Sequence, residues 1–531
     1  MDNNSIFKYI FVIVVVILIC YTSYVILKNR SNISEENLDH TSTTTNIQTD
    51  LRLSITELDT INPILSHNRN VQELTKVIYE PLITLNENYK IEYCLAEEVA
   101  KLDNQSYLVK LRKGVLWQNK ENFSADDVIF TVETIKREDI SSIYKENLRA
   151  VRDIEYIDAN TLKINLEYEV PFFEYNLTFP IMCKSFYEGE DFINSEKNRA
   201  PIGTGKFFIS EVSDNMIKLG KNDTYWNVEK VPMAQEINVN LYSNIGEAYN
   251  AFKSGELDLL TITAANVEEY IGTIGYHKIE YKSRNYDFLI FNNNNVLFSD
   301  VSVRKAISYA IDKDALVANC LGKGYIASNF SLDNGNWLYT QDLNIASNTD
   351  YAQQILMENG WEYKRNAWQK KIENRTERLE FEIVVNEDNP QRVSIAENIQ
   401  LQLANIGIPV YIKRIPFNSY ANILNNTSFD TAIAGLEVGF SPNLETFFGD
   451  GNLANYYNEE VRDILNIVKN TNEQNVLYEK YKRIFEIYLE DMPYTGLYRN
   501  TESIVCNQNL VGNIMPNCYN VYHNIEKWYR Q

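Results

Sequence analysis

Histidine, cysteine and paired carboxylates are the side chains on which hydrolytic, redox or metal chemistry would rest. The chain carries four histidines, His40, His67, His277 and His523. None stands at the i, i+4 or H-x-x-x-H spacing of a metal site. So few, so scattered, they give a nickel ion nothing to bind. Cys20, Cys94, Cys183, Cys320, Cys506 and Cys518 contain no C-x-x-C pair, which removes zinc-ribbon and thioredoxin chemistry. Cys506 and Cys518 are close enough to pair in an oxidising compartment, or to remain two buried thiols. No G-x-S-x-G turn offers a nucleophilic serine. "PIGTGKF", 201–207, resembles a phosphate loop, but Ala200 replaces its first glycine and Phe207 stands where Ser or Thr would hold magnesium. Asp126-Asp127 and Glu97-Glu98 read as helix-start charges and solvated faces rather than as carboxylate dyads. The expectation is a non-enzymatic protein with no cofactor and no metal.

The surrounding sequence must then build a binding surface. Its 531 residues are 44% hydrophobic, enough for sizeable cores in about three domains. Aromatic residues make up 12%, through 36 Tyr and 23 Phe, and supply core and stacking surface alike. A formal net charge of −22 repels phosphate backbones and argues against nucleic-acid binding.

From Leu51 onward, strand and helix patterns alternate without a repeat. "QSYLVKLRKGVLW", 105–117, predicts two strands turning at Lys113-Gly114. "SADDVIFTVETIKR" predicts a helix opened by Ser124 three residues before Asp127. "TLKINLE", 161–167, predicts a strand, and "GKFFISEVSDNMIKLGKN" a hairpin turning at Ser213–Asn215. "GEAYNAFKSGELDLL" and "AENIQLQLANIGIPVYIKRIP" each read as helix, glycine stop, strand. "VSVRKAISYAIDKDALVANCL", 301–321, is the strongest helical stretch, and "VLYEKYKRIFEIYLEDMP" predicts a long amphipathic helix ended by Pro493. Helix–glycine–strand units point to α/β layers.

Tyr9–Leu27 holds no charge over 19 residues, long enough to span a bilayer as a helix. A cleaved lipoprotein signal ending before Cys20 is the alternative, but Ile19 is larger than the residue such signals carry there. Residues 1–30 are read as a membrane anchor or signal and 31–50 as a polar, flexible tether. This places the protein at the cell membrane with its folded body extracytoplasmic.

Several segments resemble the extracytoplasmic solute-binding proteins of peptide- and nickel-type ABC importers. "ELDTINPILS" resembles the family's opening strand and turn, and "VIYEPLITLNENYKIEYCLAEEV" the block that follows. "YLVKLRKGVLWQNKENFSADDVIFTVETIK" carries the most specific pattern, with Gln118-Asn119-Lys120 replacing the usual His-Asp-Gly, read as a changed surface turn. "PIGTGKFFISEV" with "KNDTYW", "FNNNNVLFSDVSVRKAISYAIDKDALV", "LMENGW" and "IQLQLANIGIPVYI" follow in the family's order. The resemblance covers residue 51 to the C-terminus. It implies an α/β, two-lobed periplasmic-binding-protein-like (Venus flytrap) fold with a satellite domain, preceded by one membrane-spanning helix. Lobe I would comprise 51–74, 196–283 and 494–531, the satellite 75–195, and lobe II 284–493. Crossings near Arg284 and Tyr494 would form the hinge. The implied partners are a solute, most readily an oligopeptide, and an ABC permease with its ATPase subunits; the protein itself would be a monomer. A ligand-sensing module of the same fold and a non-peptide solute remain alternatives.

The resemblance also marks candidate ligand-binding residues. One wall is Asn70, Val71 and Gln72, which could equally be a helix N-terminus. The other lies in "FDTAIAGLEVGFSPN", 429–443. Relatives read Gly-Trp-x-Ala-Asp-Tyr where this chain has Gly435, Leu436, Glu437, Val438, Gly439 and Phe440. Their Asp holds the peptide α-ammonium through a charge-assisted bond. Here Gly439 removes that anchor, and Glu437 would substitute only if a bulge re-aimed it.

Overall fold

The computed structural model describes residues 50–531 apart from 263–271, 273–274, 341–342 and 344. Of the anchor and tether expected over 1–50, residues 1–49 lie outside the described residues, and Asp50 already belongs to the first strand. Among the described residues, no helix is long and apolar enough to cross a membrane.

The first strand, β1 (Asp50–Thr56), buries Leu51, Leu53 and Ile55 on alternate positions. Helix α1 (Arg69–Thr75) follows, capped by the Asn68 side chain, which accepts from the Asn70 and Val71 amides. Next comes an antiparallel sheet built from β2 (Ala96–Asp103), β3 (Ser106–Leu111), β4 (Val151–Asp158) and β5 (Thr161–Leu166), in the order β2-β3-β5-β4. Helix α2 (Ala125–Lys136) lies between β3 and β4, its Ser124 and Asp127 forming a reciprocal capping box. The second strand predicted after Lys113-Gly114 is reduced to a single bridge, Leu116 with Asn122. Trp117 there is buried, its indole N–H donating to Asp127 at 3.1 Å, so packing rather than strand pairing holds the segment.

Strands β6 (Phe207–Val212), β7 (Met216–Lys221) and β8 (Glu236–Tyr242) complete a sheet in the order β1-β8-β7-β6, with β1 parallel to β8. One continuous core joins this sheet to the satellite sheet and the C-terminal segment, from Leu51 through Ile78, Val109, Leu162 and Phe207 to Trp528. The "PIGTGKF" stretch is part of that joint. The Gly205 and Phe207 amides donate to the carbonyls of Ile78 (2.8 Å) and Val77 (3.0 Å). A Cβ on Gly203 would stand 1.9 Å from the Ile78 carbonyl oxygen. Gln118 accepts from the Gly203 amide at 2.8 Å and donates to the Phe207 carbonyl, so its replacement of the relatives' histidine is a structural tie rather than a changed surface turn.

The second body is layered about a larger sheet. Its members are β9 (Leu259–Ile262), β10 (Tyr276–Phe291), β11 (Tyr325–Ala327), β12 (Phe381–Asn386), β13 (Val410–Ile415), β14 (Thr431–Glu437) and β15 (Tyr494–Asn507). The order is β9-β15-β10-β14-β12-β13, with β11 also on β15. Tyr286, Phe288, Ile290 and Ala434 enter one core; Leu289, Phe291, Ile383 and Ile433 enter another on the opposite face. A sheet buried on both faces reads as a continuous apolar run, as "TAIAG" does. The helical stretch predicted over 301–321 forms two helices, α3 (Val301–Ala310) and α4 (Lys313–Cys320), because Asp312 caps the second by accepting from the Ala315 amide. Helix α5 (Pro390–Ala404) packs on β12 and β13, and α6 (Gln474–Asp491) ends where Met492 turns left-handed, φ 44°, before Pro493.

Strands β10 and β15 pass through both bodies. Tyr276–Lys282 pair with Thr501–Asn507; the register breaks between Lys282 and Tyr286; Tyr286–Ile290 then pair with Arg499–Tyr494. Arg284 sits inside the break. On β15 the crossing falls at Arg499–Thr501, while Tyr494 lies opposite Ile290 in the second body.

In β14, Gly435 lies opposite Asp287 of β10. Arg392 of α5 donates to both Asp287 carboxylate oxygens, at 2.8 and 3.1 Å, and Tyr498 adds its hydroxyl. A Cβ on Gly435 would stand 2.0 Å from both Arg392 Nη2 and Asp287 Oδ1, so the ion pair and the glycine require each other.

Two outcomes follow for urea unfolding of the full chain. Gly203→Ala should cost about 2–3 kcal/mol, because backbone rather than a flexible side chain must yield. Arg392→Ala should cost about 3 kcal/mol by leaving Asp287 buried without its counterion.

Candidate functional site

β14 ends at Glu437, and the chain leaves the sheet edge between the two bodies. The Val438 amide donates to the Arg284 carbonyl at 3.0 Å, which ties the departing segment to the break in β10. Phe440 is thereby delivered against the first body. Its ring stacks on Tyr89 (centroids 6.0 Å apart, 26° between planes) and meets Tyr519 edge-on at 5.3 Å. The Arg284 guanidinium lies 4.5 Å from the Phe440 centroid, within cation–π range. Tyr481 donates to the Pro442 carbonyl and pins the far end of the segment.

These contacts frame a cavity of about 50 Å³. Tyr89 and Cys518 wall it from the first body, Arg284 and Arg499 from the crossing strands, and Asp333, Asn336, Val438, Gly439 and Phe440 from the second. Arg284 is ion-paired to Glu437, whose side chain is 60% exposed, so no bulge turns Glu437 into the cavity. A Cβ on Gly439 would meet only Ser441 atoms, at 3.8 Å, so the position is open space. Burial pushes the Cys518 thiol up to about 11, keeping it protonated and poorly nucleophilic near neutral pH. Cys94, Cys183, Cys320, Cys506 and Cys518 are all free thiols, so the Cys506–Cys518 pairing does not form. Among the described residues, no group of three His, Cys, Asp or Glu side chains could hold a metal ion.

The sequence candidates separate into three places. Val438, Gly439 and Phe440 line the cavity between the bodies. Gly435, Leu436 and Glu437 line a different one, of about 250 Å³, beside Asp287, Arg392 and Tyr498. Asn70, Val71 and Gln72 line neither. Val71 is fully buried. Gln72 donates to the carbonyls of Pro63 (2.9 Å) and Ser66 (2.7 Å) and accepts from the Tyr144 hydroxyl. Asn70 accepts from Thr261 and donates to Thr56. With every polar group engaged, this triplet knits α1 to β1 and β9.

Sequence reasoning missed Tyr89, Asp333, Asn336 and Cys518, which stand in irregular segments without periodicity. The same segments join the satellite to the second body. The Trp337 amide donates to the Asn88 carbonyl at 3.0 Å, Asn88 Nδ2 to the Gly335 carbonyl at 3.1 Å, and Lys101 Nζ to the Lys469 carbonyl at 2.9 Å. Only the asparagine-rich turn "NENYK" hinted at a specific loop there.

Known proteins of this architecture bind chemically diverse solutes. The chain is 24% identical over 496 residues to the oligopeptide-binding protein AppA of Bacillus subtilis, covering 90% of each. It is 24% identical to heme-binding protein A of Haemophilus influenzae, over 78% of this chain and 80% of that one. The crystal structure of a nickel ABC transporter protein from Bacillus halodurans superposes with a TM-score of 0.73 at 20% identity, covering 90% of this chain and 99% of that one. Residues 90–454 match the model of one family. On that match, and on the two-body α/β architecture with its cavity between the bodies, the chain belongs to the bacterial extracellular solute-binding proteins, family 5.

Proposed function

We propose that this protein captures an oligopeptide outside the cell, between its two bodies, and hands it to a membrane permease driven by ATPase subunits. The carrying observation is the placement of Val438–Phe440 in the cavity between the bodies, opposite Tyr89 and Cys518. The match to oligopeptide-binding AppA supports the solute class. In this reading residues 1–30 hold the body at the outer face of the cell membrane, which raises its effective concentration near the permease.

A cavity of about 50 Å³ is too small for an oligopeptide, so capture requires the bodies to part. The register break at Lys282–Tyr286 is where β10 can bend without losing a regular ladder. An extended peptide is then held largely by backbone hydrogen bonds, each worth about 1 kcal/mol net. A micromolar affinity, about −8 kcal/mol, needs several of these plus apolar burial against Phe440 and Leu332. With glycine at 439 the α-ammonium has no carboxylate at that position, which favours peptides recognised through their backbone or side chains.

Three measurements test this reading. Mass spectrometry of ligand co-purified with the full chain should recover oligopeptides; consistent recovery of a non-peptide solute would sink the proposal. Gly439→Asp, which fits the open space at that position, should tighten binding of free-amine peptides roughly tenfold, the gain of a charge-assisted hydrogen bond. An unchanged affinity with an intact fold would mean that the ammonium lies elsewhere. Phe440→Ala removes ring contacts worth about 1 kcal/mol each. It should raise the radius of gyration in small-angle X-ray scattering of the ligand-free protein.

A further inference from the structure

A separate cavity lies within the first body and its satellite. It measures about 130 Å³, and no residue of the second body lines it. Its walls come from segments far apart in the chain: 79–85 and 92–94 of the satellite, 225–230 beyond the β6–β7 hairpin, and 519–526 near the C-terminus.

The charges around this cavity do not balance. Each lysine of the wall has a glutamate of its own. Lys76 pairs with Glu73 at 2.8 Å, Lys206 with Glu526 at 2.8 Å, and Lys230 with Glu92 at 3.2 Å. His523, also in the wall, faces Glu87 at 3.6 Å. Glu80 is left over. It is only 6% exposed, and its carboxylate accepts from the Tyr225 hydroxyl at 2.7 Å, the Trp226 indole N–H at 2.8 Å and the Thr204 hydroxyl at 2.9 Å, with the Cys94 thiol at 3.5 Å. All four donors are neutral. Among the described residues, Glu80 has no cation within ion-pair distance. Its oxygens are hydrogen-bonded while its charge stays uncompensated. Burial raises the Glu80 carboxyl above its ordinary range, outweighing these hydrogen bonds and the field of Lys206. Burying a charge without a counterion is costly, and a protein bears that cost most readily where a ligand supplies the counterion.

The rest of the wall suits a cation that carries an apolar group. Tyr93, Tyr144, Tyr225, Trp226 and Tyr519 present aromatic rings. Two of these rings already attract resident cations: the Arg112 guanidinium lies 4.3 Å from the Trp226 centroid and Lys76 Nζ 5.1 Å from that of Tyr519. Tyr93 is 47% exposed, so the wall reaches solvent there. An apolar cavity of about 150 Å³ admits benzene, so this one has room for a single-ring molecule.

We propose that this cavity binds a small organic amine as its ammonium, with Glu80 as the counterion and the surrounding rings against the amine's apolar part. The site is distinct from the cleft and does not rest on the proposed peptide capture.

The test is calorimetric titration of the full chain with benzylamine hydrochloride at neutral pH, against benzyl alcohol, which has the same ring without the charge. Benzylamine should bind, and the alcohol should bind at least roughly tenfold more weakly, the difference a charge-assisted contact makes. Glu80→Gln should abolish the preference for the amine. Because Glu80 also ties Tyr225 and Trp226 together, Tyr93→Ala provides a second variant at a half-exposed position; it should weaken benzylamine several-fold at an unchanged thermal midpoint. The proposal is overturned if wild type prefers the amine no more than the alcohol, or if both variants keep wild-type affinity. It is also overturned if an oligopeptide bound in the cleft displaces benzylamine, whereas binding of both together supports it. A protein that binds benzylamine but no peptide would sink peptide capture and leave this site standing.

Discussion

The structure depends on two strands that belong to both bodies. β10 and β15 pair along most of their length, and their register shifts between Lys282 and Tyr286 and again between Asp287 and Phe288. A hydrogen-bonded ladder resists bending, because bending unpairs backbone groups that must otherwise find partners. Flexure is therefore directed to the break. Arg284 sits there, and its carbonyl receives the Val438 amide while its guanidinium covers Phe440. The longer break in the shared ladder is thus bonded to the segment that enters the cleft.

A second constraint works beneath that segment. Arg392 and Asp287 form a largely buried ion pair against the face of β14, and only glycine at 435 leaves room for it. The pair binds α5 to the central sheet and orients β14, so that the chain departs toward the first body after Glu437. Two glycines four residues apart consequently have opposite significance. Gly435 is demanded by packing, whereas Gly439 is bounded by open space.

Much of the architecture was legible in local pattern. The 3.6-residue period of 476–491 and the alternation of 207–221 correspond to α6 and to the β6–β7 hairpin. Where pattern misled, a specific contact had outweighed it. Asp312 breaks 301–320 into two helices by capping the second, a competition periodicity does not register. Val115–Trp117 has a strand composition, yet Trp117 satisfies its indole on Asp127 and turns the segment inward. Asn70–Gln72 read equally as a ligand wall or a helix N-terminus; it lies in the first turns of α1, and its side-chain polar atoms are engaged by near neighbours such as Pro63 and Ser66 and by the distant Tyr144 and Thr261.

The sequence by itself determined the class of protein: the order of motifs from residue 51 onward, the helix–glycine–strand units, and the absence of any spaced catalytic or metal-binding set. These are local or ordered features, written in propensity and spacing. Only the tertiary structure decided which residues meet. Tyr89, Arg284, Gly439 and Cys518 converge on one cavity, and Lys313 and Arg499 on a cavity behind it, from segments far apart in the chain. Such convergence depends on strand register, on the crossing of β10 and β15, and on which buried charges find counterions. Those quantities depend on pairs of distant residues, and no local window of the chain contains both members of such a pair.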